Sequence, residues 1–102
     1  MSAEDDDFIP SNFFIKQNYP NPFNIETTIY FNLPQKEKVS LEIFNIKGQK
    51  VNKLIDQEQN NGLHKVTWSG RDSFGRKVSS GIYFYRIISG KNKVIKKMIL
   101  MQ

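Results

Sequence analysis

Residues 62–87 read GLHKVTWSGRDSFGRKVSSGIYFYRI and contain two strand patterns separated by turn residues. In the first pattern, His64, Val66 and Trp68 share one face, the period of two expected for a strand with one buried face. The second pattern, residues 82–88, is apolar or aromatic at six of seven positions and predicts a central strand that is covered on both faces. Trp68 is the predicted anchor of the core.

Similar alternation extends outward from this segment. Residues 29–33 and 39–43 alternate apolar and polar side chains, and the turn Lys47-Gly48 predicts a hairpin leading on to residues 51–54. A turn at residues 89–92 precedes a final apolar strand at 93–101, while the prolines in NYPNPFN, residues 18–24, predict an ordered loop. The sequence therefore predicts an all-β fold, an antiparallel immunoglobulin-like β-sandwich of about seven strands.

Length and composition predict one domain and exclude several kinds of site. The 102 residues lack cysteine, which excludes disulfides, thiolate zinc sites and cysteine nucleophiles. Residues 1–12 are predicted to be a flexible acidic linker or a cloning remnant, and residues 13–102 the immunoglobulin-like domain. We expect neither a signal peptide nor a membrane-spanning segment. Residues 8–102 carry about +9, which we interpret as a solvated surface rather than a nucleic-acid site.

Few residues could carry chemistry. His64, the only histidine, lies in register with apolar strand positions and is predicted to be a hydrogen-bonded structural imidazole. Asp72 lacks the alternating oxygen ligands of a calcium loop and is predicted to cap a turn. No glycine precedes a helical pattern that could bind phosphate. The sequence predicts no catalytic, cofactor-binding or metal site.

Two surfaces could serve a partner. Tyr83 and Tyr85, beside Arg86, could stack on a sugar or on single-stranded nucleic acid, although aromatic residues in a central strand are usually core residues. The segment KKMILMQ, residues 96–102, predicts an apolar edge strand. It either completes the sandwich or is recognised by a partner that adds a strand or binds its side chains.

Five motifs, in this order along the chain, resemble the type A C-terminal sorting domain of the type IX secretion system. They are QNYPNPFN at 17–24, TTIYFNLP at 27–34, FNIKGQKV at 44–51, the quoted segment at 62–87 and KKMIL at 96–100. The middle block also resembles the immunoglobulin-like domain of the flagellar hook-capping protein. The resemblance covers nearly everything after residue 13.

The resemblance implies a function without catalysis. Such a domain ends a larger cargo protein that reaches the periplasm by its own signal, and it directs the cargo across the outer membrane to the cell surface or the medium. The implied partners are the type IX outer-membrane translocon, a shuttle protein and a cell-surface sortase that removes the domain, with no stable membrane insertion. The alternative function is a carbohydrate-binding or structural adaptor module. The implied recognition residues are Gly81 and the segment Lys96, Lys97, Met98, Ile99, Leu100 and Met101.

Overall fold

Seven β-strands form two antiparallel sheets in the computed structural model, which describes residues 12–102. The strands are β1 (Phe14–Ile15), β2 (Thr27–Leu33), β3 (Glu37–Asn45), β4 (Lys50–Gln59), β5 (Gly62–Trp68), β6 (Gly81–Ser89) and β7 (Asn92–Leu100). One sheet has the order β1-β2-β5 and the other β4-β3-β6-β7. The predicted all-β sandwich of about seven strands is confirmed.

The β3–β4 hairpin shows how the turn residues set the fold. Asn45 begins the turn, and its Oδ1 accepts the backbone N–H groups of Lys47 and Gln49, each at 3.0 Å. Gly48 has a φ of 83°, a conformation that glycine adopts without steric cost. The predicted hairpin is confirmed, and β4 continues past residue 54 to Gln59 before the chain crosses to the other sheet.

The core lies between the sheets and contains the apolar side of each alternating pattern. Trp68 is 1% exposed and lies between two aromatic rings, with centroids 5.8 Å from Phe23 and 5.4 Å from Tyr83. Its indole N–H donates to the carbonyl oxygen of Arg71 at 2.8 Å. The predicted role of Trp68 as a core anchor is therefore confirmed.

The structure corrects two expectations about strands. β1 is absent from the sequence-based prediction because two residues show no period, although Phe14 and Ile15 pair with β2. β6 is an interior strand as predicted, but only one of its faces is buried. Its other face, which includes Ile82, Phe84 and Ile88, is half-buried, because the three-stranded sheet covers only one side of the four-stranded sheet.

Glu42 is a buried acid on the outer face of the four-stranded sheet, the face away from the core. It is 4% exposed, and its Oε1 accepts a 2.6 Å hydrogen bond from Arg86. Its Oε2 lies 2.8 Å from the ammonium of Lys50 and 3.8 Å from that of Lys53. Burial raises the pKa of Glu42, but the hydrogen bonds and charges of Lys50 and Arg86 outweigh burial and hold it below its ordinary value.

The predicted linker, residues 1–12, lies outside the described residues except for Asn12. The backbone oxygen of Asn12 accepts a hydrogen bond from Asn32 Nδ2 at 2.6 Å, so this residue contacts β2. Within residues 12–102, no helix is long and apolar enough to cross a membrane.

Candidate functional site around the last strand

β7 contains most of the predicted recognition residues and is part of the fold. It pairs antiparallel with β6 along its whole length, from Ser89 opposite Asn92 to Gly81 opposite Leu100. Since β3 lies on the other side of β6, β7 forms the edge of the four-stranded sheet, as predicted. The strand thus completes the sandwich, one of the two alternatives that the sequence left open.

The predicted recognition residues 96–101, here called the recognition segment, alternate between the core and the outer face. Met98 and Leu100 are 0% and 1% exposed and contact the core, whereas Lys97 is exposed and Ile99 is half-buried on the outer face. Met101 follows the strand and is 57% exposed. In the folded domain, a partner can reach the side chains on the outer face but not those of Met98 and Leu100.

Residues 17–24, here called the proline loop, cover the C-terminal end of the free edge of β7, from Lys97 onward. Gln17 Nε2 donates to the backbone oxygen of Lys97 at 2.7 Å. Asn21 Oδ1 accepts the backbone N–H of Ile99 at 3.0 Å. Two side chains of the loop therefore take the place of backbone groups from a neighbouring strand.

Phe23 completes this edge through its own backbone. Its N–H donates to the oxygen of Ile99 at 3.0 Å, and its oxygen accepts the N–H of Met101 at 2.7 Å, a parallel bridge centred on Leu100. The Phe23 ring is 2% exposed and packs edge-on against Trp68. The loop is thereby joined both to the last strand and to the core.

Tyr85 anchors the start of the proline loop. Its hydroxyl accepts the backbone N–H of Asn18 and donates to the oxygen of Lys16, each at 2.8 Å. The side chain of Asn18 donates in turn to Thr27 Oγ1 at 2.9 Å and to the oxygen of Pro20 at 3.1 Å. Desolvation raises the pKa of the Tyr85 hydroxyl to about 12, which keeps it protonated as the donor to Lys16.

Gly81 and its neighbours hold the other side of the segment. Gly81 begins β6 opposite Leu100 with a φ of 152°, a conformation that L side chains rarely adopt. Ser80 Oγ donates to the backbone oxygen of Gln102 at 2.8 Å and accepts its N–H at 2.9 Å. Gly81 thus lies beside the recognition segment, and residues 97–102 are held from two sides.

The structure also decides between the interpretations of the other residues. The stacking surface considered for Tyr83 and Tyr85 is wrong, because their side chains face the core and are 6% and 0% exposed. His64 is half-buried, stacks on Phe31 at 5.1 Å and contacts the oxygen of Asn60 at 2.7 Å, as expected of a structural imidazole. Asp72 caps its turn through bonds of 2.9 and 3.0 Å from two backbone N–H groups.

Sequence reasoning missed the contacts of the proline loop with β7. The loop was predicted to be ordered, but nothing in its composition indicates which strand it covers. Gln17 and Lys97 lie 80 residues apart, and a bond between a side chain and a distant backbone group leaves no period in the sequence. Only the presence of QNYPNPFN among the family motifs indicated that the loop matters.

Comparisons with solved structures show the fold. Latent PorU from Porphyromonas gingivalis has a TM-score of 0.70 and 20% sequence identity, over 90% of this chain. PorZ, an essential surface component of the type-IX secretion system of that bacterium, has a TM-score of 0.58 and 19% sequence identity, over 99% of this chain. The chain spans only 10% and 12% of those proteins. FlgD from P. aeruginosa matches 78% of this chain and 67% of its own, with a TM-score of 0.57 and 20% identity.

The family comparison extends beyond the fold. A search of curated proteins finds no significant match. The family model described as the secretion system C-terminal sorting domain, by contrast, matches residues 17–101, from the first residue of the proline loop to the end of the recognition segment. The chain therefore belongs to the family of type IX secretion system C-terminal sorting domains.

Proposed function

We propose that this chain directs a cargo protein across the outer membrane and that its receptor reads the outer face of β7. Membership of the family implies a secretion-signal role, a cargo on the N-terminal side and export to the cell surface or the medium. The observation that carries the proposal is the match over residues 17–101, which includes both the proline loop and β7.

The proposed partners are the type IX outer-membrane translocon, a shuttle protein and a cell-surface sortase that removes the domain after passage. Within the recognition segment, Lys97 and Ile99 would contact the receptor from the outer face, and Met101 is accessible just beyond the strand. Lys96 is half-buried on the side of Met98 and Leu100, opposite Tyr85, and would not be read. Met98 and Leu100 would act indirectly, since they fix the strand to the core. Gly81 would keep the adjoining end of β6 in the conformation that pairs with Leu100.

A point substitution tests the proposal better than a truncation. Deleting residues 97–102 would remove Met98 and Leu100 from the core, so that a loss of secretion would report unfolding as readily as a lost signal. Lys97→Glu reverses one exposed charge on β7 and leaves the core intact. Lys65→Glu makes the same change on the exposed side of β5, in the other sheet, and is the matched control.

The experiment uses a reporter with a periplasmic leader fused to the N-terminal side of residues 13–102, expressed in a bacterium that has the type IX machinery. We expect secretion of the wild-type fusion and of Lys65→Glu, and periplasmic retention of Lys97→Glu. Retention of all three fusions would contradict the proposed function. Equal secretion of all three would show that Lys97 does not take part in recognition.

Removal by a sortase has a separate test. We propose that cleavage falls within residues 8–12, next to the acidic cluster of residues 4–7 and before β1. The fusion for this test carries residues 1–102, so that the interval is present, and mass spectrometry of the secreted reporter should find its C-terminus there. A reporter that still carries residues beyond Phe14 would contradict the proposed position.

The alternative of a carbohydrate-binding module is not favoured by the structure, because the two tyrosines on which it depended lie in the core.

A further inference from the structure

We infer that the proline loop is a working part of the sorting signal: Gln17 and Asn21 position β7 so that the receptor reads its outward side chains and adds no strand to its edge. This inference rests on the proposed function. It assigns two positioning residues, which lie 80 and 78 positions away from the residues that they support.

The first step of the argument concerns the backbone groups at the edge of β7. In an antiparallel pair, alternate residues direct both N–H and C=O away from the partner strand. At the end of β7 these residues are Lys97, Ile99 and Met101, as their bonds to the proline loop show. A strand added at this end of β7 would need the oxygen of Lys97, both backbone groups of Ile99 and the N–H of Met101. Gln17, Asn21 and Phe23 already occupy them.

The second step concerns whether the loop can leave. Moving it away would withdraw the ring of Phe23 from its contact with Trp68 in the core. It would also separate the buried Tyr85 hydroxyl from Asn18 and Lys16, leaving polar groups without partners. Because both losses oppose displacement, the loop acts as a fixed neighbour of β7 and not as a lid.

The third step concerns what remains accessible. On the outer face, β7 presents Ile95, which is 56% exposed, followed by Lys97 and Ile99. The direction of these side chains depends on the position of the backbone that carries them, and the bonds from Gln17 and Asn21 fix that backbone at two successive outward residues. Loss of either bond would leave β7 paired with β6, but the backbone that carries Lys97 and Ile99 would be less firmly held.

Asn21 offers a sharp test because its side-chain oxygen makes the bond to Ile99. Asn21→Ala removes the acceptor, while Asn21→Asp keeps an oxygen there and should restore the bond. Asn24→Ala is the matched control, since Asn24 is an exposed asparagine of the same loop that has no side-chain hydrogen bond within residues 12–102. The readouts are amide hydrogen exchange of the purified 102-residue chain and secretion of the reporter fusion.

For Asn21→Ala we expect exchange of the Ile99 amide to accelerate about fivefold, the equivalent of one hydrogen bond, while the Ile87 amide in the core of β6 keeps its rate. Secretion should fall by a comparable factor. Asn21→Asp should restore both values and Asn24→Ala should change neither. If Asn21→Ala fails to fold, Gln17→Ala replaces it and removes the bond from an exposed residue to the oxygen of Lys97. The Ile99 amide keeps its acceptor in this variant, so the readout is secretion, which should fall; unchanged secretion would contradict the inference.

Three results would overturn the inference. Unchanged exchange at Ile99 would show that the bond does not hold the strand, and faster exchange with normal secretion would show that positioning is not needed. Increased secretion of Asn21→Ala would show that the loop blocks an edge to which the receptor adds a strand. In all three cases the wild-type fusion is secreted and the proposed function stands, whereas a wild-type fusion retained in the periplasm contradicts that function instead.

Discussion

Replacing Trp68 by alanine removes the aromatic side chain that joins the proline loop, β5 and β6. We expect the free energy of unfolding to fall by about 3–5 kcal/mol, the usual cost of truncating a fully buried aromatic residue. Two edge-on ring contacts, to Phe23 and Tyr83, contribute about 0.5–1.5 kcal/mol each to that loss. The hydrogen bond to Arg71 contributes about 1 kcal/mol.

Two further variants divide this effect. Trp68→Phe keeps a ring in the core but loses the indole N–H, so we expect an intermediate loss of about 1–2 kcal/mol. Leu63→Ala, at a residue of the same strand that is 62% exposed, should change the free energy of unfolding by about 0.5 kcal/mol or less.

The assay is urea denaturation monitored by far-ultraviolet circular dichroism. Tryptophan fluorescence does not serve, because the chain has one tryptophan and the two variants of Trp68 lack it. A loss below about 1 kcal/mol for Trp68→Ala, or a loss equal to that of Leu63→Ala, would refute the placement of Trp68 in the core.

Three more predictions concern buried polar groups. Glu42→Gln should lower the free energy of unfolding at pH 7 by about 1–2 kcal/mol, since Lys50 and Arg86 lose their counter-charge; an unchanged urea midpoint would contradict this. Because the folded pKa of Glu42 lies below its ordinary value of 4.5, the wild type should lose stability as the pH falls below that value. The loss should be shallower in Glu42→Gln, which has no carboxyl to protonate at this position. Parallel pH profiles of the melting temperature for the two proteins would show that Glu42 does not contribute to the loss of stability in acid. Tyr85→Phe should cost about 1–2 kcal/mol, because the buried N–H of Asn18 loses its acceptor; chemical denaturation indistinguishable from wild type would contradict that estimate.

The strands and the core anchor were predictable because their signals are local. The alternation in residues 29–33 and 39–43 shows its period within a few positions, and Gly48 marks its own turn. The burial of Trp68 follows from its place in such a pattern. These features depend on sequence neighbours, so they need no knowledge of the other sheet.

The rest depends on contacts between distant residues. The direction of the Tyr83 and Tyr85 side chains was ambiguous, because β6 is largely apolar on both faces. Only the position of the three-stranded sheet decides which face is buried. Which edge the proline loop covers was not predictable for the same reason. Within the candidate site, the motif KKMIL located the segment, but the division into buried Met98 and Leu100 and accessible Lys97 and Ile99 required the register with β6.

The proline loop and β7 are in contact in the folded domain although they lie near opposite ends of its sequence, since Gln17 and Lys97 are 80 positions apart. The surface around Lys97 therefore does not exist in an unfolded chain, where these residues are far from each other. A receptor specific for this surface would bind the folded domain and not the unfolded chain. Folding of the domain would then have to precede recognition, because the surface that the receptor binds forms only when the proline loop contacts β7.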